Sequence, residues 1–169
     1  ESMGQLTALT KLNLSHSKLL TGLPESMGQL AALTSLNLRC KSLTGLPKSM
    51  GQLAALTSLV LSDCKSLAVL PESMGQLTAL TSLYLDGCMS LTVLPESMGQ
   101  LTALTKLNLS HSKSLAVLPV SMGQLHHTLD LDVSGCSLVF PPQPVARHGF
   151  KAVKAFFQAS SMGTSALQH

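Results

Sequence analysis

Residues 77–95 read LTALTSLYLDGCMSLTVLP, and this stretch decides the fold because most of the chain is a variation on it. Preceded by ESMGQ or a near copy, it recurs until the prolines that close it mark a period. Those prolines are Pro24, Pro47, Pro71, Pro95 and Pro119, in steps of 23, 24, 24 and 24 residues. A fixed period of that size belongs to a stacked array in which each unit covers its neighbour. Six units follow one another: 1–24, 25–47, 48–71, 72–95, 96–119 and 120–141.

Within each unit one short segment alternates strictly: Leu12-Asn13-Leu14, Leu36-Asn37-Leu38, Leu59-Val60-Leu61, Leu83-Tyr84-Leu85, Leu107-Asn108-Leu109 and Leu131-Asp132-Val133. A period of two with leucines on one side predicts a half-buried strand, and one strand per unit stacks into a parallel sheet with a spacing of about 4.8 Å. After each strand come a further Leu (Leu20, Leu43, Leu67, Leu91, Leu115), a Leu-Pro pair and then Ser-Met-Gly-Gln-Leu. Proline suits a first helical turn and a following Glu favours a helix N-terminus, while Gly after Met keeps the helix short. Brief 3₁₀ or single α turns are therefore expected on the outer side. The methionines at 3, 27, 50, 74, 98 and 122 share one position and are expected to fill the core beneath that turn.

The composition narrows the function classes. Apolar residues are 45 % of the 169, charged residues 11 %, and mean hydropathy is +0.33, enough for a continuous core and too apolar for a disordered chain. Net charge is +3 and aromatics are 3 %, without Trp, unlike the dense basic and stacking surfaces of nucleic-acid binders. No apolar run approaches a membrane span. The chain begins at Glu1, at the head of a unit and with no signal-like segment, and reads as a piece of something longer.

The unit L-x-x-L-x-L-x-x-C-x-x-L-x-x-L-P-x-S-M-G-x-L resembles the leucine-rich repeat. It is similar to the cysteine-containing repeats of plant intracellular disease-resistance proteins. Residues 62–77, SDCKSLAVLPESMGQL, carry that likeness, which covers residues 1–141. The resemblance implies an α/β repeat, a solenoid with a parallel β-sheet on its concave face and short 3₁₀ or helical turns on its convex face. It also implies protein recognition on the concave face. The phosphate-binding G-x-x-x-x-G-K-[ST] run is absent, so no nucleotide chemistry is carried over. A second likeness is to extracellular plant receptor repeats, echoed by Leu20-Thr21-Gly22-Leu23-Pro24 and Leu43-Thr44-Gly45-Leu46-Pro47, with one residue fewer before the proline.

The last unit decays: His126-His127-Thr128 replace Thr-Ala-Leu, and two residues are missing between Cys136 and Pro141. Residues 142–169 then form a different segment. Residues 145–160 have helical spacing, with Ala146, Phe150, Val153 and Phe157 on one side and Arg147, Lys151 and Lys154 in an adjacent stripe. A terminal cap over the last repeat is the first expectation, a basic amphipathic helix meeting a membrane or a partner groove the second. Residues 160–169 are expected to be disordered.

Cys64, Cys88 and Cys136 share one repeat position, with Cys40 a residue early because the second unit is short. Neighbouring copies are near enough for a disulfide, but parallel side chains have the wrong vectors and no C-x-x-C pair supports zinc. Buried structural thiols are expected. The resemblance implies that they satisfy backbone groups where each strand turns, with Ser17 and Ser112 doing the same job. His16 and His111 lie four repeats apart, too far to share an ion, and His126 and His127, being adjacent, do not readily face one site. No catalytic constellation emerges, and no enzyme activity, cofactor or metal is expected.

A partner would meet the outward strand positions. They form three columns: Lys11, Ser35, Ser58, Ser82, Lys106, Asp130; then Asn13, Asn37, Val60, Tyr84, Asn108, Asp132; then Ser15, Arg39, Ser62, Asp86, Ser110, Ser134. Variation concentrates there while the Leu, Met-Gly and Leu-Pro positions barely change. Tyr84, the only aromatic on the face, is flanked by Val60, Arg39, Asp86 and Asp63, and Tyr and Arg tend to dominate binding energy. The expected partner-binding set is Tyr84, Val60, Arg39, Asp86, Asp63, Asn37, Asn108 and Asp132. A row of Lys18, Lys41, Lys65 and Lys113, interrupted by Met89, is a soluble rim or a feature that steers an acidic partner. The reading is a non-enzymatic, monomeric interaction module of a larger cytoplasmic protein of disease-resistance or signalling type. The alternatives are a structural scaffold and a secreted receptor ectodomain.

Overall fold

The computed structural model describes residues 3–165. Six strands of three residues each run parallel in chain order: β1 (Lys11–Asn13), β2 (Ser35–Asn37), β3 (Ser58–Val60), β4 (Ser82–Tyr84), β5 (Lys106–Asn108) and β6 (Asp130–Asp132). The register sets equivalent residues side by side, so Leu36, Leu59, Leu83 and Leu107 form one buried row. On the opposite side each unit makes a 3₁₀ turn, such as Glu25–Gln29, Lys48–Gln52 and Glu72–Gln76. This is the expected solenoid, with the sheet on one face and short turns on the other.

Two details of the turns differ from expectation. Each proline precedes the first helical residue, with extended backbone (Pro71 at φ −69°, ψ 147°), and so delivers the chain to the turn instead of opening it. The glycine after methionine has a packing role as well. A Cβ on Gly51 would lie 2.5 Å from the Ser73 carbonyl oxygen, and one on Gly99 would lie 2.4 Å from that of Ser121. Successive turns approach so closely that only a bare backbone fits. Beneath them Met27, Met50, Met74, Met98 and Met122 are fully buried, as expected of gap-fillers.

The core is one continuous cluster from Met27 to Phe157. Its C-terminal end is covered. The helical segment is broken: α1 (Gln143–Ala146) and α2 (Phe150–Ser165) are separated at Gly149, which sits at φ +83°, a region that favours glycine. The expectation of one helix over 145–160 is corrected by that turn. Ala146, Phe150, Val153 and Phe157 are all buried, and α2 packs on the last 3₁₀ turn, Val120–Gln124. Phe140 stands 5.5 Å from Phe156 and 5.6 Å from Phe157 between ring centroids. Lys154 leaves the basic stripe to donate to the Leu125 carbonyl at 2.5 Å. Helix α2 also continues through Ser165, correcting the expected disorder from residue 160, while residues 166–169 lie outside those described.

The degenerate sixth unit keeps its ladder. Leu118 N–H donates to the Phe140 carbonyl at 2.8 Å and Val139 N–H to that of Ala116 at 2.7 Å. The two missing residues shorten the return path without breaking the pairing.

Candidate functional site: the strand face

The outward columns are laid down by the register, which pairs Asn37 with Val60, Val60 with Tyr84 and Tyr84 with Asn108. In the outer repeats the central residue serves its own backbone. Asn13 Oδ1 accepts from Ser15 N–H at 2.9 Å, Asn37 Oδ1 from Arg39 N–H at 3.2 Å, Asn108 Oδ1 from Ser110 N–H at 2.9 Å and Asp132 Oδ1 from Ser134 N–H at 2.9 Å. A short polar side chain that bonds two residues onward is the usual Asx turn, and here it fixes how each strand ends. Val60 and Tyr84 have no acceptor at that place, so the two central repeats give up this bond.

Polar contacts between repeats appear around the gap instead. Ser62 Oγ donates to Asp86 Oδ1 at 2.6 Å. Arg39 donates to Asp63 Oδ2 from Nη2 at 2.7 Å and from Nε at 3.1 Å. That pair is 44 % and 39 % exposed, so it contributes at most about 1 kcal/mol to stability. The hydrogen bonds to Asp63 raise the affinity of Arg39 for its proton. Lys106 Nζ lies 5.7 Å from the Tyr84 ring centroid, within cation–π range.

Of the predicted site residues, the structure brings Val60 and Tyr84 together by register and joins Arg39 to Asp63; Asp86 enters through Ser62. Asn37 and Asn108 flank them with their carboxamide oxygens already occupied. Asp132 lies two strands from Tyr84, exposed at the end of the sheet. Sequence reasoning passed over Lys106 and Ser62, although both stood in the columns. The available signal was the parallel register, which sets Lys106 diagonal to Tyr84 on the same face.

Directly below the face lies a feature the sequence reading missed. The residue before the cysteine position turns with positive φ in five repeats: His16 (63°), Asp63 (58°), Gly87 (70°), His111 (60°) and Gly135 (73°). His16, Asp63, Gly87 and His111 each donate N–H to the next repeat, the last three to Asp86, Ser110 and Ser134 carbonyls at 2.7–2.9 Å. The side chain leans the same way. A Cβ on Gly87 would meet Asp63 Oδ1 at 2.6 Å, and one on Gly135 would meet His111 Nδ1 at 2.7 Å. Asp, His and Gly recurring at one repeat position was the legible signal.

The next residue points inward. Sγ of Cys40, Cys64, Cys88 and Cys136 donates to the carbonyls of Leu14, Leu38, Leu61 and Leu109 at 2.9–3.1 Å, and Ser112 Oγ makes the same bond to Leu85 at 2.7 Å. Ser17 departs from this pattern and bonds its own repeat's Leu14 carbonyl at 2.8 Å. Burial pushes the Cys64 thiol up to about 11 and that of Cys88 up to about 12, so both are inert, protonated donors. All four cysteines are free, with Cys136 less buried than the others.

The rings of His126 and His127 lie with centroids 4.3 Å apart and planes tilted by 33°, and His126 Nδ1 is 2.7 Å from Thr128 Oγ1. Among the described residues no group of three or more His, Cys, Asp or Glu is placed to hold a metal ion. None of the described helices is long and apolar enough to cross a membrane.

Six parallel strands in register, backed by 3₁₀ turns and an internal thiol ladder, define a solenoid of the kind used for binding proteins. The fold is that of a leucine-rich repeat protein. A family model described as leucine rich repeat matches residues 7–65 and 33–89. Among solved structures, the leucine-rich repeat domain of the type III effector XopL is similar at 30 % identity and TM-score 0.63, over 68 % of this chain and 38 % of that one. A plant ice-binding protein is similar at 26 % and 0.60, over 80 % of this chain and 52 % of that one. The BIR2 ectodomain from Arabidopsis thaliana shares the fold at 22 % and 0.51, over 78 % of this chain and 69 % of that one. The chain thus spans about two fifths of the first relative and half of the second. No curated protein matches. Leucine-rich repeats are generally a non-enzymatic interaction fold, and this chain has that fold.

Proposed function

We propose that the chain is a protein-recognition module that meets its partner on the strand face, centred on Tyr84 and Val60. The observation that carries this reading is the break in the central column. Four repeats place Asn or Asp there and use it to hold their own backbone, while two adjacent repeats replace it with a valine and the only tyrosine. Those substitutions forgo a hydrogen bond, so folding does not call for them. A half-buried aromatic beside an aliphatic residue, rimmed by Arg39, Asp63, Asp86 and Lys106, has the make-up of a binding hot spot. A place within a larger cytoplasmic disease-resistance or signalling protein rests on the motif of residues 62–77, with a secreted ectodomain as the alternative. The test is capture of partners on the immobilised chain, with identification by mass spectrometry. Loss of the captured protein on Tyr84→Ala supports the reading, and undiminished capture places the site elsewhere.

One observation favours a second reading. Thr34, Thr57, Thr81 and Thr105 each donate Oγ1 to the threonine carbonyl of the preceding repeat at 3.0–3.1 Å, giving a regular line of side chains of fixed orientation. Such a line suits an ordered surface, and the likeness to a plant ice-binding protein points the same way. Inhibition of ice recrystallisation, abolished by Thr57→Lys and Thr81→Lys, would support it over protein recognition.

A further inference from the structure

The second repeat is one residue short, and the structure shows where the loss falls. Repeats one, three, four, five and six each carry a residue of positive φ between the strand's last outward position and the inward Cys or Ser. In repeat two Arg39 is followed at once by Cys40, and that residue does not exist. The N–H that Asp63 supplies to Asp86, and Gly87 to Ser110, therefore has no counterpart between repeats two and three. The side chain that elsewhere lies over the next repeat is missing too. His16 faces a gap where His111 faces Gly135.

The gap is a groove of about 370 Å³ lined by His16, Ser17, Lys18, Arg39, Lys41, Ser42 and Asp63. Its walls carry three cations against one carboxylate. Arg39 holds that carboxylate through Nη2 and Nε, while the Gly87 backbone lies close beneath its other oxygen. Asp63 thereby orients the guanidinium, and its own charge is countered. Arg39–Asp63 is the ion pair found among the described residues, and the ammonium groups of Lys18 and Lys41 have no carboxylate partner there. Elsewhere along the lysine row, Lys65 and Lys113 stand beside filled positions. Where the residue is deleted, lysines of two adjacent repeats share a concavity with an arginine and a histidine.

We infer that this groove is an oxyanion-binding site, and that its ligand is a phosphate group. A planar guanidinium held in place, two exposed ammonium groups and an imidazole N–H around one concavity offer more donors than a single carboxylate can use. A phosphoryl group presents three acceptor oxygens and close to two negative charges at neutral pH. The phosphate comes either from a small molecule or from a phosphorylated side chain of a bound protein. The site does not depend on Tyr84 or Val60.

The test uses calorimetric titration of the whole chain with inorganic phosphate, inorganic pyrophosphate and a phosphoserine peptide beside its unphosphorylated twin. Phosphate or pyrophosphate is expected to bind, more weakly as salt rises. Lys18→Ser with Lys41→Ser changes two exposed side chains and should leave the fold intact by circular dichroism. It should weaken binding about tenfold or more per cation lost. Inserting a glycine between Arg39 and Cys40 restores the missing residue and should abolish binding. If Lys65→Ser with Lys113→Ser weakens binding as much as the groove variant, or the glycine insertion leaves it unchanged, the site is overturned. So is it if neither phosphate, pyrophosphate nor the phosphopeptide binds. A phosphopeptide that binds more tightly than phosphate, with its twin inactive, assigns the group to a protein partner; equal binding assigns it to a small molecule.

Discussion

Two columns of the same array, four residues apart except in the short second repeat, behave in opposite ways. At the inward position of residues 40, 64, 88, 112 and 136, each repeat after the first presents a short donor to the leucine carbonyl of the repeat before, and even the change from thiol to hydroxyl keeps the bond. At the outward position of residues 37, 60, 84, 108 and 132, the repeating bond is made in three cases and abandoned in two. The inward column is dictated by a backbone group that must be satisfied out of water. The outward column is under no such demand, because water can take the place of the side chain. Uniformity there is convenience, and departure from it is available for recognition.

The contrast is sharpest in the buried row beside Tyr84. Leu83→Ala removes a fully buried side chain and should cost about 2–5 kcal/mol in urea denaturation, whereas Tyr84→Ala should cost less than about 1 kcal/mol. Comparable losses would show that the face also carries the fold. The convex turns give the next largest effect. Gly51→Val must displace the Ser73 backbone and should destabilise by about 1–3 kcal/mol. Gly22 and Gly45 have open space around them, and alanine at either should be neutral or slightly stabilising.

The thiol ladder makes a prediction in pH. A thiol whose folded pKa exceeds its unfolded value binds its proton more firmly in the native state. Its contribution is therefore complete below the unfolded value and lost as pH rises through the folded one. With Cys64 at about 11 and Cys88 at about 12 against an ordinary 9.0, stability should begin to fall above pH 9 and continue falling to about 12. Cys88→Ser, which copies the bond that Ser112 makes naturally, should reduce that fall without unfolding the protein at neutral pH; thermal melts across the range would measure it.

Much of this was legible in the sequence. The period gave the solenoid, the Leu-x-Leu alternation gave the strands and their register, and the columns on the face followed by counting. What could not be counted was conformation. The left-handed turn at His16, Asp63 and Gly87 has no hydrophobic period, because its demand is on φ and is met by three unlike residues. The notch at Arg39 appeared as a step of 23 in place of 24, but what a missing residue exposes depends on its neighbours in space. The breaking of the terminal helix at Gly149 was hidden by apolar spacing that runs on through the turn. Likewise Asn37, Asn108 and Asp132 read as surface, and only the structure shows their oxygens turned onto the backbone.

The most direct measurement places Asn, the residue of the outer repeats, at position 84 and follows stability and binding together. Tyr84→Asn restores the acceptor for the Asp86 N–H, and the account predicts a protein as stable as the parent or up to about 1 kcal/mol more so, with partner affinity reduced about tenfold or more. A variant that loses stability while keeping its affinity would contradict the claim that this position was given to recognition.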